Sequence, residues 1–569
     1  MSYTKQDSYV TIESDENSTE HDYNPKALIV NDDNENEPLK ESPKLTFFTA
    51  FRDVLSMSSA LVVARTISTL NSYGNSVILN THDYHNSSDA AAAGALINTF
   101  NGMLLTSLFT VTASNYIKSI PMVIEKNYKE VRENLLRSAA IGLFIITPIG
   151  EIAFYFSESI FEKVMHSPVN ASQIAASFYK GYMPGLPFIF LANTIQQSII
   201  AVQKPWLLII PALTQGAVSN LIGSLWALDS NLTASEAALH LGYANSFASL
   251  STLTISLLIL RCGLNDPYEF FSARGENLLK GMLELLKVGG PVFISVFTET
   301  LSMFALVGFI GALKNDDPSQ RQIHLSILQA TAIYVNFSSA FLIAISQSCL
   351  ALSRKVITPV QNAIFTSLEE RLGQAQLIAR VGNLIGLTGV GLFAGSLCAA
   401  YVPATQWLLQ NENLDDSTLK MVLYIYLINN LLGQLIDSVR LVSNGSLIGH
   451  GDFLMPTLIN ISSMLGVGIS MGYLLGPGPL SMGILGPFIA RQFGILTGAI
   501  SNEARLCLVR KSLLAEDDTV AQTNTASEND EIFKSSDVKE KARLYSPSFF
   551  SSSLADEDNS ASRCSCTMF

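Results

Sequence analysis

The sequence predicts an all-α membrane protein of about twelve transmembrane helices in two six-helix bundles, with acidic tails at both ends. Three observations carry this expectation. Of 569 residues, 48% are hydrophobic and 15% charged, against roughly 25% charged in a soluble domain, and the mean hydropathy is +0.31. The apolar residues gather into long runs, each near the roughly 20 residues that a helix needs to cross a hydrocarbon core. The basic residues of the connecting loops fall mostly on one side of the sheet of helices so drawn.

The tails come first because they distort the charge. Residues 1–44 hold 11 acids and 4 bases, and residues 511–569 hold 11 acids and 6 bases, so the tails contribute −7 and −5 of the net −13. Such segments bury too little apolar area to offset ordering entropy, and both are expected to be disordered. The remaining chain is near neutral and has no clustered Lys and Arg surface, so no nucleic-acid partner is expected. The first 44 residues are polar and show no cleavable signal peptide.

Between the tails, helices are expected near 52–79, 90–117, 134–157, 173–202, 204–228, 237–261, 280–313, 323–353, 378–402, 418–447, 453–476 and 480–508. The hydrophilic stretch 262–279 divides them into a first bundle, 45–261, and a second, 280–510, an arrangement common in secondary transporters, whose site lies between repeats near the midplane. Gly and Pro interrupt several runs, at Gly181–Pro187, Gly289–Pro291 and Gly476–Pro479; membrane helices tolerate such breakers when neighbours satisfy the freed backbone groups. With the N-terminus inside, the inner loops carry thirteen basic residues, among them Lys126, Arg137, Lys204, Arg274, Arg354 and Arg371. The outer loops carry four: Lys163, Lys314, Arg321 and Lys420. This asymmetry places both termini on the cytoplasmic side of a multi-pass membrane protein.

Cys262, Cys349, Cys398 and Cys507 stand singly, with no ligand or disulfide spacing, and read as small buried apolar residues. No phosphate-cradling Gly-rich loop ending in Lys-Ser/Thr and no metal-ligand cluster is present. The chain is therefore expected not to be an enzyme and to need neither metal nor organic cofactor.

Candidate functional groups are the ionisable residues inside the helices, since placing one at a helix centre costs roughly 2.5–3.5 kcal/mol on insertion scales. Glu299 lies deep in the seventh run, with Ser295 four before and Ser302 three after on the same face, and with no base within a turn. A carboxylate so placed has the chemistry to exchange a proton, or to trade it for Na⁺ or substrate. Asp437 lies in the tenth run behind Asn430 and Gln434, which form one polar stripe with it, and Arg440 follows by three and is placed to pair with it. Arg65 is mid-segment in the first run, where it would either neutralise a carboxylate across the cavity or attract an anionic substrate. Lys180 and Lys287 sit nearer helix ends, where snorkelling suffices.

These two acids also carry a resemblance. Gly290-Pro291 followed by Glu299 is similar to the seventh-helix pattern of the MATE (multidrug and toxin extrusion) transporters of the MOP flippase superfamily. Asp437 followed by Gly445-Ser446-Leu447 and Gly449, then Pro456 and Asn460, resembles their tenth- and eleventh-helix pattern. Gln203-Lys204-Pro205 and Asn220 resemble the fourth-to-fifth helix junction and the fifth helix. The resemblance spans about residues 45–510. It implies a two-bundle fold with a central cavity, export of amphipathic or cationic compounds in exchange for H⁺ or Na⁺, and coupling roles for Glu299 and Asp437. Two departures stand out: Ile448 occupies the place of the family's Arg, and no acid lies between Asp53 and Asp83, with Asn75 near where the family often carries one.

The chain closes on Cys566-Thr567-Met568-Phe569, which fits a C-a-a-X box for prenylation of Cys566 by a prenyltransferase, with Cys564 placed for a second acyl chain. The sequence thus leads to a cation-coupled exporter working among membrane lipids on a small-molecule substrate. A flippase for a lipid-linked or anionic substrate is the alternative that Arg65 favours, and a non-transporting scaffold with acidic partner-binding tails is a third.

Overall fold

A computed structural model describes residues 46–82, 87–229, 231–263, 275, 277–313, 318–358, 367–409 and 416–528. Among the described residues there is no strand; the chain is helices joined by short turns. Cys564 and Cys566, the tail 1–44 and the centre of the stretch 262–279 lie outside the described residues.

The twelve apolar runs coincide with twelve helical stretches. These are α1 (Phe47–His82), α2 (Asp89–Ile124), α3 (Tyr128–Tyr155), α4 (169–201), α5 (Pro205–Ala227), α6 (Ala234–Cys262), α7 (Leu278–Gly311), α8 (Pro318–Ile357), α9 (Leu368–Ala399), α10 (Leu419–Gly449), α11 (Leu454–Leu475) and α12 (Leu485–Glu528). Ten of them contain a stretch long and apolar enough to cross a membrane. The other two, α4 and α12, carry polar groups turned inward: Gln197 in one, Arg491, Gln492 and Asn502 in the other, all buried.

The Gly and Pro breakers act differently at each place. Met183–Gly185 tightens α4 into a 3₁₀ turn, and Gly476 ends α11. Pro291 does not end α7, which runs through it, and its carbonyl accepts a hydrogen bond from Thr457 Oγ1 at 2.8 Å, a polar contact between α7 and α11. Wider π turns occur at Gly102–Thr106, Gly142–Ile146, Ile259–Gly263, Leu427–Leu432 and Ile461–Ile469. The turn at Leu427–Leu432 precedes the buried Asp437 and Arg440 of α10, and that at Ile461–Ile469 follows Asn460 of α11; such bulges are often found near functional groups of this kind.

Two expectations need correction. Residues 511–528, read as disordered tail, continue α12 as helix. No Gly or Pro follows Gly498 in α12, and an already nucleated helix adds residues at little cost. Of the four cysteines read as buried, only Cys349 is; Cys262 is exposed at the end of α6.

The helices of the two halves interlock. Ala50 and Val54 of α1 pack against Ile345 and Cys349 of α8, Ile378 of α9 and Val442 of α10. A second cluster joins Leu61 and Ala64 to Tyr116, Ile199, Leu208, Ala344, Leu350 and Ile448. A third, near the far end, centres on Phe100, whose ring lies 5.3 Å from Phe161, 5.2 Å from Tyr179 and 6.5 Å from Phe304 of α7. Polar contacts cross the halves as well: Tyr116 Oη donates to the Gln347 carbonyl at 2.7 Å, Ser107 and Thr300 hydroxyls meet at 3.0 Å, and Lys118 pairs with Glu284 at 3.6 Å.

Lipid is as apolar as leucine, so helix association in a membrane depends on close backbone approach. Gly445 supplies it between α10 and α8: a Cβ there would stand 2.5 Å from the Ser346 carbonyl oxygen, and Ser346 Oγ donates to the Leu441 carbonyl at 2.7 Å. Gly449, one turn on, meets Ser353 in the same way. On α7 the close approach falls on Gly289, whose Cβ would lie 2.7 Å from the Val111 carbonyl oxygen; at Gly290, singled out from the sequence, a Cβ would meet nothing.

Candidate functional site

Glu299 and Asp437 meet on one arginine. Arg440 is fully buried; its Nε donates to Asp437 Oδ1 at 2.6 Å and its Nη2 lies 2.7 Å from Glu299 Oε1. The Asp437 side chain is 2% exposed and that of Glu299 21%, so Glu299 is the accessible member. Sequence spacing anticipates the pair within α10. It does not reveal that Arg440 also reaches a residue 141 positions earlier, and Glu299, read as a lone carboxylate, is in fact ion-paired.

Neighbouring helices complete the cluster. Arg440 Nη1 donates to Asn460 Oδ1 on α11 at 3.3 Å, and Asn460 Nδ2 donates to Ser295 Oγ on α7 at 2.6 Å. Ser302 Oγ turns back to the Glu299 carbonyl at 2.6 Å, and the residue lines a small void with Met464, Gly468 and Arg491. Arg491, buried on α12, donates from Nη1 to Asn429 Oδ1 at 2.9 Å and lies within electrostatic range of both acids. Two carboxylates and two guanidinium groups thus balance. A buried pair of this kind is costly to break, because removing one partner strands the other charge in low dielectric.

Asn430 and Gln434, read as one stripe with Asp437, are fully buried but do not join it. Gln434 Oε1 accepts from Ser339 Oγ on α8 at 3.3 Å, and the Asn430 amide makes no well-aligned hydrogen bond. Pro456 is buried at the start of α11. A further carboxylate, Glu503 on α12, was not singled out; Ser443 Oγ and Asn383 Nδ2 both donate to its Oε1.

The first half holds a different cluster. Asn75 Nδ2 donates to Asn245 Oδ1 at 3.2 Å, and Ser219 Oγ lies 3.0 Å from Asn245 Oδ1 and 3.3 Å from Asn75 Oδ1. One turn away Asn220 Nδ2 donates to Asn71 Oδ1 at 3.1 Å. The network joins α1, α5 and α6 and contains only neutral groups. Asn75 and Asn220, both singled out from the sequence, therefore belong to one region but bond to different partners.

Arg65 pairs with no acid: among the described residues its guanidinium makes neither ion pair nor hydrogen bond. Of the two roles expected for Arg65, neutralising a carboxylate across a cavity finds no partner among the described residues.

Between the membrane segments, one buried imidazole is shifted. Burial pushes His450, in the turn from α10 to α11, below its ordinary value. Thr233 and Glu236 form a capping box at the start of α6.

No family model matches the sequence. A stretch of 261 residues is 25% identical to the probable multidrug resistance protein NorM of Halalkalibacterium halodurans, covering 46% of this chain and 51% of that protein, so the chain spans about half the length of this curated relative. The fold is similar to that of the eukaryotic MATE transporter AtDTX14, with a TM-score of 0.67 at 14% identity over 82% of this chain and 97% of the other. It is similar also to the outward-facing conformation of a multidrug resistance MATE family transporter of the MOP superfamily, with a TM-score of 0.61 at 11% identity over 82% and 99%. The chain thus has the fold of the solved MATE transporters, and just under half of it is similar in sequence to a probable multidrug resistance protein.

Proposed function

We propose that the chain is a secondary active exporter of amphipathic organic compounds that works by alternating access, with both termini cytoplasmic, and that Glu299, Arg440 and Asp437 form its coupling centre. The observation that carries this reading is the convergence of two membrane-embedded carboxylates from different helices on one buried arginine, at 2.7 and 2.6 Å. A scaffold has no use for such a cluster, and intramembrane charges of this cost mark functional sites.

The centre is balanced, so an arriving cation must break a contact. A proton on Glu299, the accessible carboxylate, would cancel one of the two attractions on Arg440 and leave it to Asp437, loosening α7 from α10. Sodium would need several oxygen ligands in space that Arg440 already fills, so the proton is the favoured coupling ion. The turn of α10 and α7 relative to one another would then favour one orientation of the halves.

Purified protein in proteoliposomes, with an imposed H⁺ or Na⁺ gradient, tests this. Wild type should export under the H⁺ gradient, and Glu299→Gln should export at background while reconstituting at wild-type level. Wild-type export by Glu299→Gln would sink the coupling assignment.

A further inference from the structure

We propose that Arg65 is an anion-binding residue, holding the carboxylate, sulfonate or phosphate group of the amphipathic substrate; this deepens the exporter reading and rests on it only for the transport step. Arg65 lies 18 residues after the first and 17 before the last residue of α1, too far from either end to place its charge at an interface. Leu55, Val63 and Leu70 mark the outward face of α1, being 44%, 43% and 49% exposed. Arg65 follows Val63 by two positions, about 200° round a helix of 3.6 residues per turn, and so stands on the inward face. Ser72 and Ser76 share that face, and their hydroxyls turn back to the carbonyls of Ser68 and Ser72, leaving the stripe without a counter-charge.

The residue is therefore on the inward face and part-buried, and its guanidinium has no bonded partner among the described residues. A bare cation at that depth is expensive unless an anion visits it. No described residue supplies one. The amides further along α1, Asn71 and Asn75, are taken up by Asn220, Ser219 and Asn245, and the acids of the second half are taken up by Arg440. The cluster of Glu299, Asp437, Arg440 and Arg491 is balanced, whereas Arg65 has no counter-charge among the described residues, and it repels an organic cation while offering up to five donors to an oxyanion. The anionic group could belong to a water-soluble amphiphile or to a phospholipid headgroup; the chemistry at Arg65 is the same.

The test uses the full chain in phosphatidylcholine nanodiscs and two probes with one body and opposite charge, pyrenebutyrate and pyrenebutyl-trimethylammonium, read by fluorescence anisotropy. Wild type should prefer the anion by about tenfold or more, Arg65→Gln should lose the preference, and Arg65→Lys should retain most of it. Equal preference in wild type and Arg65→Gln, or preference for the cation, overturns the proposal; the lysine variant guards against mere misfolding. Adding phosphatidylglycerol to the discs separates the sources: competition with pyrenebutyrate assigns the site to a lipid headgroup, and its absence to a soluble anion, and either result upholds the anion site. Export under the H⁺ gradient is measured separately with the same anion. An intact binding preference with no gradient-driven export leaves Arg65 as an anion site and removes the exporter reading instead.

Discussion

The two halves of the molecule solve the problem of buried polarity in opposite ways. In the first, α1, α5 and α6 are tied by amides and a hydroxyl, Asn75, Ser219 and Asn245, with contacts of 3.0 to 3.3 Å. In the second, α7, α10 and α11 are tied by charges, with contacts of 2.6 and 2.7 Å to Arg440. A neutral network is indifferent to ions and holds its geometry across a pH range. A charged one can be switched by a single proton. The difference suggests a division in which the second half senses the gradient and the first half provides a fixed wall.

Four experiments would break or sharpen that contrast. Replacing Arg440 with Gln strands two carboxylates, and should cost roughly 3–5 kcal/mol; thermal unfolding in detergent should show the largest loss of any change considered, and combining it with Glu299→Gln should recover part of it. Gly445→Leu drives a side chain into the Ser346 backbone and should cost a few kcal/mol by overpacking, roughly 1–3, read in the same assay. Asn245→Ala in the neutral network leaves Asn75 and Ser219 short of a partner, and should cost about 1–3 kcal/mol with no change in the pH profile of export. A pH profile like that of Glu299→Gln would instead put the two halves in one coupling device. The smallest effect is expected at His450. Because burial holds its folded value below the ordinary imidazole value, the stability it contributes is present above that ordinary value and declines as pH falls past it; His450→Gln should flatten that part of the stability profile.

How much of this could be read beforehand follows from what periodicity encodes. The helices were legible, because apolar runs near the membrane-spanning length leave few other folds. Glu299 and Asp437 were legible because a charge in such a run is conspicuous. Arg440 was legible only as a local partner of Asp437; its contact with Glu299 depends on how α7 and α10 cross, which sequence spacing does not contain. Asn220 was singled out, yet Ser219 is the residue that meets Asn75, because in α5 both faces are apolar and nothing marks the inward one. Gly290 was preferred to Gly289 for the same reason: one residue is a turn of about 100°, and only the neighbouring helix decides which glycine faces it. The extension of α12 was missed because acidic composition was read as disorder although the segment lacks any helix breaker.

That extension has a mechanical consequence. From Arg510 to Glu528, α12 continues for 18 residues, about 27 Å at 1.5 Å per residue. A stiff rod anchored at one end works as a pointer: a tilt of a few degrees at its base swings its tip by several ångströms. A spin label at Thr525, paired with one on α3, would turn any tilt of α12 into a distance that can be followed in time.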